Sequence, residues 1–176
     1  MNCYSGKDLA RAYRTVRENT IKIAEEIPEA KLDFAPAPGV RTVRQLLTHI
    51  ALADSIAGVH KEKRTNFDGF NFPALVGQMQ AEEAKPRTKG ELIALLKERG
   101  EETATWLESL TDDFLAEPFT QPRGTPATKS RFEMIMGMKE HEMHHRGQLM
   151  LIERMLGITP HLTRAMQERF AAQARS

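Results

Sequence analysis

His141 and His145 stand four residues apart in the run His141-Glu142-Met143-His144-His145-Arg146-Gly147-Gln148, inside a segment patterned as one long helix. On a helix, residues i and i+4 lie one above the other on the same face. Two imidazoles so placed can reach one metal ion. A third histidine, His49, sits far upstream in a separate amphipathic segment. All three interrupt apolar stripes, where an unsatisfied buried polar group costs about 1 to 3 kcal/mol. A single histidine on such a face is ordinarily a hydrogen-bonded core residue. Three of them on two helices point to a metal, provided the fold brings the helices together.

The elements that must do so are legible from periodicity. The first segment, about Ser5 to Ile27, carries Leu9, Tyr13, Val16, Thr20, Ile23 and Ile27 at alternating steps of four and three, and Pro28 ends it. The second opens at Thr42, whose pairing with Gln45 predicts a capping box; its stripe is Leu46, His49, Ile50, Ala53, Ile56 and Ala57. The third opens at Thr88 with Glu91 and turns Leu92, Leu95, Leu96, Thr103, Trp106, Leu107 and Leu110 inward. The fourth runs from about Lys129 to Leu156, stops at Gly157, and presents Met134, Met138, His141, His145, Gln148 or Leu149, and Ile152. A short amphipathic tail with Leu162, Met166 and Phe170 follows. No segment shows period-two alternation. The fold class is therefore all-α: a four-helix bundle with a short C-terminal helix, in one domain over residues 1–176.

Connections carry their own signals. Pro36-Ala37-Pro38-Gly39 is a rigid connector, and residues 65–87 form a longer link with a short helix within 73–84. Phe67, Phe70 and Phe72 in that link are read as loop packing rather than a substrate pocket. Lys61-Glu62-Lys63-Arg64 is read as a solvated helix end.

Composition excludes several classes. Hydrophobic residues make up 40% and charged residues 28%, as in soluble globular chains, and the net charge is +1. No global field attracts nucleic acid, so no nucleic-acid partner is expected. No apolar stretch approaches the roughly 18 to 20 residues of a membrane span, and the N-terminal region lacks the apolar core of a secretory signal. Cys3 is the only cysteine, which suits a reducing, cytoplasmic setting.

The remaining histidines are set aside. His144 lies about 100° around the helix from His145 and points sideways. His60 lies about 16 Å along the axis from His49 and cannot share its metal unless the helix breaks. His161 is read as surface. The window also spells His-Glu-x-x-His, the zinc metallopeptidase pattern. Gln148 and Leu151 stand where a metzincin has glycine and histidine, Glu168 lies past a helix stop, and Glu142 leaves the inward stripe, so the peptidase reading is the weaker one.

The His141–Gln148 run, ending His-His-Arg-Gly-Gln, resembles the signature of the DinB/YfiT-like family. The segment Arg41-Thr42-Val43-Arg44-Gln45-Leu46-Leu47-Thr48-His49-Ile50 is similar to that family's first ligand-bearing helix. The resemblance implies an up-down-down-up bundle, often a homodimer, with a metal held by three histidines, here His49, His141 and His145. It also implies kinship with transferases and isomerases that use low-molecular-weight thiols such as bacillithiol or mycothiol.

Three protein nitrogens leave a fourth position open on a tetrahedral ion, the pattern of a catalytic site. A water or thiol there becomes a nucleophile at neutral pH. The expectation is a divalent-metal enzyme activating a small thiol or water toward a small-molecule substrate, with a non-catalytic metal-binding or structural dimer as the alternative. Imidazole accepts zinc, nickel, copper or iron; zinc or nickel is expected. Gln45 and Gln148, each about one turn from a ligand, are read as polar residues at the bundle's edge, with orientation of the histidines as the alternative role. Arg146 is assigned to surface pairing with Glu142. Six of the nine methionines fall in the fourth helix and are read as gap-filling core.

Overall fold

The computed structural model describes residues 4–121 and 127–175. Cys3, and with it the reading of its thiol, lies outside the described residues, as does the end of the loop before the fourth long helix. The helices are α1 (Gly6–Glu26), α2 (Val43–Leu52), α3 (Gly58–Lys61), α4 (Phe72–Glu83), α5 (Lys89–Glu108), α6 (Asp112–Ala116), α7 (Arg131–Met155) and α8 (His161–Gln173). The four segments read from periodicity correspond to α1, α2, α5 and α7. They pack as a ring in which α1 and α2 each touch both α5 and α7.

Helix starts follow local chemistry. Thr42–Gln45 and Thr88–Glu91 form the two predicted capping boxes, each satisfying orphan N–H groups at both ends of the turn. Two more, Ser5–Asp8 and Ser130–Glu133, open α1 and α7. Gly157 ends the α7 region at φ 79°, where a residue without Cβ carries no strain.

Every residue of the predicted α1 stripe is buried, and so is Arg17. The core falls into two apolar regions. One gathers Ile23, Ile27, Leu46, Ile50, Leu96 and Leu149; the other gathers Leu9, Tyr13, Leu107, Ile135 and Met138. Between them lies a polar layer centred on Arg17, which is 3% exposed. Its guanidinium donates to both Glu142 carboxylate oxygens at 3.0 Å, to the Leu96 carbonyl at 2.8 Å and to the Tyr13 hydroxyl at 2.6 Å. Gly100 makes room for it: a Cβ at that position would stand 2.7 Å from Arg17 Cγ.

Four expectations are corrected here. First, the buried seam of α7 is Arg131, Ile135, Met138, Glu142, His145, Leu149, Ile152 and Glu153. Glu142 therefore points inward, and pairs with Arg17 rather than with Arg146 on the surface. Hydrophobic periodicity assigns charges to water; a carboxylate matched by a buried guanidinium escapes that rule. Second, α2 does not run on smoothly, because the chain tightens to a 3₁₀ turn at Ala53–Ala57 before α3. His60 thereby comes to be buried beside Arg131, at 3.2 Å, away from the His49 centre. Third, a small antiparallel ribbon joins β1 (Pro118–Thr120) to β2 (Thr128–Ser130), with Phe119 opposite Lys129. Three residues per strand are too few to show alternation. Fourth, His161 is half-buried against Asn19 at 3.0 Å, while Met166 and Phe170 of the tail are largely exposed.

The link before α5 behaves as loop packing: Phe67 makes edge contacts with Phe70 and with Phe119 of the ribbon. Its helix α4 occupies 72–83, close to the predicted 73–84, and turns Leu75, Met79 and Glu83 inward, four residues apart. Among the described residues no helix is long and apolar enough to cross a membrane.

Candidate metal centre

His49 comes from α2 and His141 and His145 from α7, and the ring packing sets these helices side by side. The Nε2 atom of His141 lies 3.3 Å from that of His49 and 3.1 Å from that of His145. One ligand atom from each histidine falls within 4.8 Å of the others. Nitrogens bound at about 2.0 to 2.1 Å to a tetrahedral ion are separated by about 3.3 Å. The spacing of these nitrogens thus matches a set that could share one cation.

The outer nitrogens explain the orientation. His49 donates its Nδ1–H to Glu83 Oε1 at 2.9 Å, and Glu83 Oε2 accepts from Arg41 Nε at 2.8 Å. His145 donates its Nδ1–H to Gln148 Oε1 at 2.8 Å, and the Gln148 amide reaches His144 Nε2 at 3.2 Å. A proton fixed at Nδ1 leaves a lone pair on Nε2. A neutral His141 offers at most one Nε2–H to two facing lone pairs. Three nitrogens crowded together with at most one proton lack the donors that hydrogen bonding needs, which a cation would supply.

Electrostatics disfavour protonation of all three imidazoles. Burial first, then the charges of neighbouring imidazoles, pushes His141 down to about 4. Burial also lowers His49, with Arg41 reinforcing it and Glu83 opposing, and lowers His145 against the pull of Gln148. Neutral imidazole is the ligating form.

Two clefts open on this centre. One of about 580 Å³ reaches His145 and is bounded by Val40, Arg41, Gln80, Glu83, Gln148 and Leu151. The other, about 340 Å³, reaches His49 and His141 and is walled by Leu75, Met79, Met134 and Met138, with Asp54 at its edge. Helix α4 contributes to both.

The fold brings together the three histidines singled out in the sequence; Gln148, read there as an edge residue with orientation of a histidine as the alternative, lies 2.8 Å from His145 Nδ1. Gln45 is instead spent on the α2 capping box, where its Oε1 accepts the Thr42 N–H at 2.9 Å. Glu83 and Arg41 were missed; the only sequence signal for Glu83 is its place four residues beyond Met79 on the stripe of α4. His144 is exposed and borders the site through Gln148. Glu142 is committed to Arg17 and to the Thr20 hydroxyl at 2.7 Å, which removes the general base of the peptidase pattern.

Fold and site together define a helical-bundle protein with a three-histidine cluster of metal-binding geometry. Residues 12–149 match the DinB superfamily, and the chain belongs to it. Solved structures share the fold. A DinB-like protein from Bacillus subtilis is 24% identical with a TM-score of 0.62, over 86% of this chain and 93% of that one. YfiT from Bacillus subtilis, described as a probable metal-dependent hydrolase with an unusual four-helix bundle topology, is 18% identical with a TM-score of 0.66, over 88% and 89%. The colibactin self-resistance protein ClbS, solved in complex with double-stranded DNA, is 19% identical with a TM-score of 0.62, over 85% and 95%. No curated protein matches the chain by sequence.

Proposed function

We propose that this protein is a divalent-metal-dependent enzyme in which His49, His141 and His145 hold the ion and a low-molecular-weight thiol is the nucleophile. The observation that carries the reading is the convergence of three Nε2 atoms beside two clefts, with Glu83 and Gln148 fixing the outer nitrogens. Held by His49, His141 and His145, a divalent ion would supply Lewis acidity, enough to bring a water's pKa near 7 and to ionise a thiol. The protein's own groups orient the ligands, keep the imidazoles neutral and shape the space beside them.

A thiol is favoured over water because proton removal from water benefits from a free base. Glu83 is engaged by His49 and Arg41, and Glu142 by Arg17 and Thr20. A thiol, with an ordinary pKa near 8.5, would be deprotonated outright on the ion, whereas a water lowered only to near 7 would be about half ionised at neutral pH. Hydrolysis, the activity YfiT's description carries, is the second reading. Both place the reaction on a small electrophile, with zinc or nickel as the ion.

Two finer points belong to the same proposal. Leu151 and Met155 expose an apolar strip on α7 that a homodimer would cover. A cytoplasmic setting supplies small thiols in reduced form. The net charge of +1 supports no nucleic-acid partner, and a gel-shift titration with duplex DNA checks this against the ClbS complex.

Elemental mass spectrometry of the untagged protein beside His49→Ala and His141→Ala tests the reading. One metal per chain, lost in both variants, and thiol transfer lost in His145→Ala are expected. Absence of metal after reconstitution, or equal transfer by the variant, overturns it.

A further inference from the structure

The 340 Å³ cleft beside His49 and His141 has a composition that a mere gap in the core would not need. Its walls are Leu75 and Met79 from α4, Met134 and Met138 from α7, and Ala53, Asp54 and Ile56 from the 3₁₀ turn; the three methionines are unbranched thioethers that adapt to the shape of a guest. Between Met134 and Met138, also lining the cleft, sits Gly137. Glycine inside a helix costs about 1 kcal/mol relative to alanine, and it is tolerated where a neighbour presses close. No neighbour does so here: a Cβ at position 137 would meet nothing within 4 Å. This contrasts with Gly100, where Arg17 fills the space. The absent side chain at 137 leaves its volume to the cleft.

Helix α4 supports the same reading. Its inward face consists of Leu75, Met79 and Glu83, while Phe72 and Val76 on its other sides are exposed. Two of those inward residues wall the cleft, and the third holds His49. The helix therefore builds the site more than it builds the core.

We propose that this methionine-walled cleft binds a compact aliphatic portion of the substrate beside the metal centre, and that Gly137 sets the size of group admitted. The clause about the metal rests on the function proposed above; the cleft and its guest do not. Apolar burial gives affinity that rises about fourfold per added methylene, from about 0.8 kcal/mol each, until the space is full. Met134 and Met138, read from the sequence as gap-filling core, become the walls that recognise the guest.

The test uses protein as purified, carrying ¹³C-methyl methionine, titrated with straight-chain alcohols from ethanol to octanol and followed by methyl NMR. Metal content is measured on the same sample. The Met79, Met134 and Met138 signals are expected to shift saturably, with Kd falling about fourfold per methylene and then levelling. Gly137→Leu should abolish the shifts while raising Tm or leaving it unchanged, since leucine is the better helix former. Met79→Ala should carry the levelling point to longer chains. Shifts confined to the exposed Met143, Met155 and Met166, no saturation, or unchanged binding in Gly137→Leu would overturn the proposal. Metal without alcohol binding defeats this inference alone; alcohol binding without metal defeats the enzymatic reading and leaves the cleft.

Discussion

His49 and Glu83 are joined by a 2.9 Å contact between Nδ1 and Oε1, so the last turn of α4 orients a ligand carried by α2. Arg41 holds the opposite carboxylate oxygen of Glu83 at 2.8 Å. A carboxylate behind a histidine fixes its tautomer and raises its basicity. Glu83→Gln keeps a hydrogen-bond acceptor but removes the charge, and Glu83→Ala removes both. We expect zinc affinity to fall about 10- to 100-fold in Glu83→Ala and less in Glu83→Gln. Competition titration against a chromophoric chelator reads this directly. Wild-type affinity in both variants would show that the contact orients nothing.

Arg17 and Glu142 form a buried pair, each with under 5% of its side chain exposed. Removing one partner of a buried pair costs about 3 to 5 kcal/mol, and in Glu142→Ala the guanidinium keeps only Asp54, 3.3 Å away, as a counter-charge. Glu142→Ala should therefore lower the urea midpoint sharply. Arg17→Met combined with Glu142→Leu should recover most of that loss, because apolar replacement of both partners avoids the orphan charge. Asp54 eases the exchange: burial pushes its carboxyl up to about 6 against the pull of Arg17, so it can be neutral once the guanidinium is gone. A stable Glu142→Ala protein that has lost only activity would revive the peptidase role for Glu142.

His60 makes stability depend on pH. Burial first, and the Arg131 charge second, pushes its imidazole down to about 4, while the unfolded chain titrates near 6.5. Between these values the unfolded state binds a proton that the folded state does not, so stability falls as pH falls. The contribution is complete above about 6.5 and lost by about 4. It amounts to roughly 3 kcal/mol from the 6.5-to-4 shift. Because the triad histidines titrate in the same direction, the measurement is the difference between wild type and His60→Gln across pH 4 to 7. The gap in unfolding free energy should narrow toward acid; parallel profiles would contradict it.

Metal removal should destabilise the fold through the site itself. An ion that binds only the native state adds about 4 kcal/mol when present at a thousandfold above its Kd. Calorimetric Tm should rise on adding zinc to stripped protein and drop again with chelator. His141→Ala, which withdraws the nitrogen lying nearest to both others, should show neither change. An equal rise in that variant would place the ion elsewhere.

Helix identity was readable from the chain because it is a local property. Stripes of apolar residues at steps of three and four, and the Thr42–Gln45 and Thr88–Glu91 boxes, act within a turn or two, and they placed α1, α2, α5 and α7. The histidine spacing was local as well, so His141 and His145 could be paired before any fold was known. The meeting of His49 with them depends on α2 lying beside α7, which periodicity alone does not state. What the chain could not disclose were its charged contacts across the bundle. Arg17 and Glu142 lie 125 residues apart, and His49 and Glu83 lie 34 apart on different helices. A polar side chain read alone belongs in water; only the tertiary structure, by placing its partner within hydrogen-bond reach and excluding solvent, makes burial the lower-energy choice.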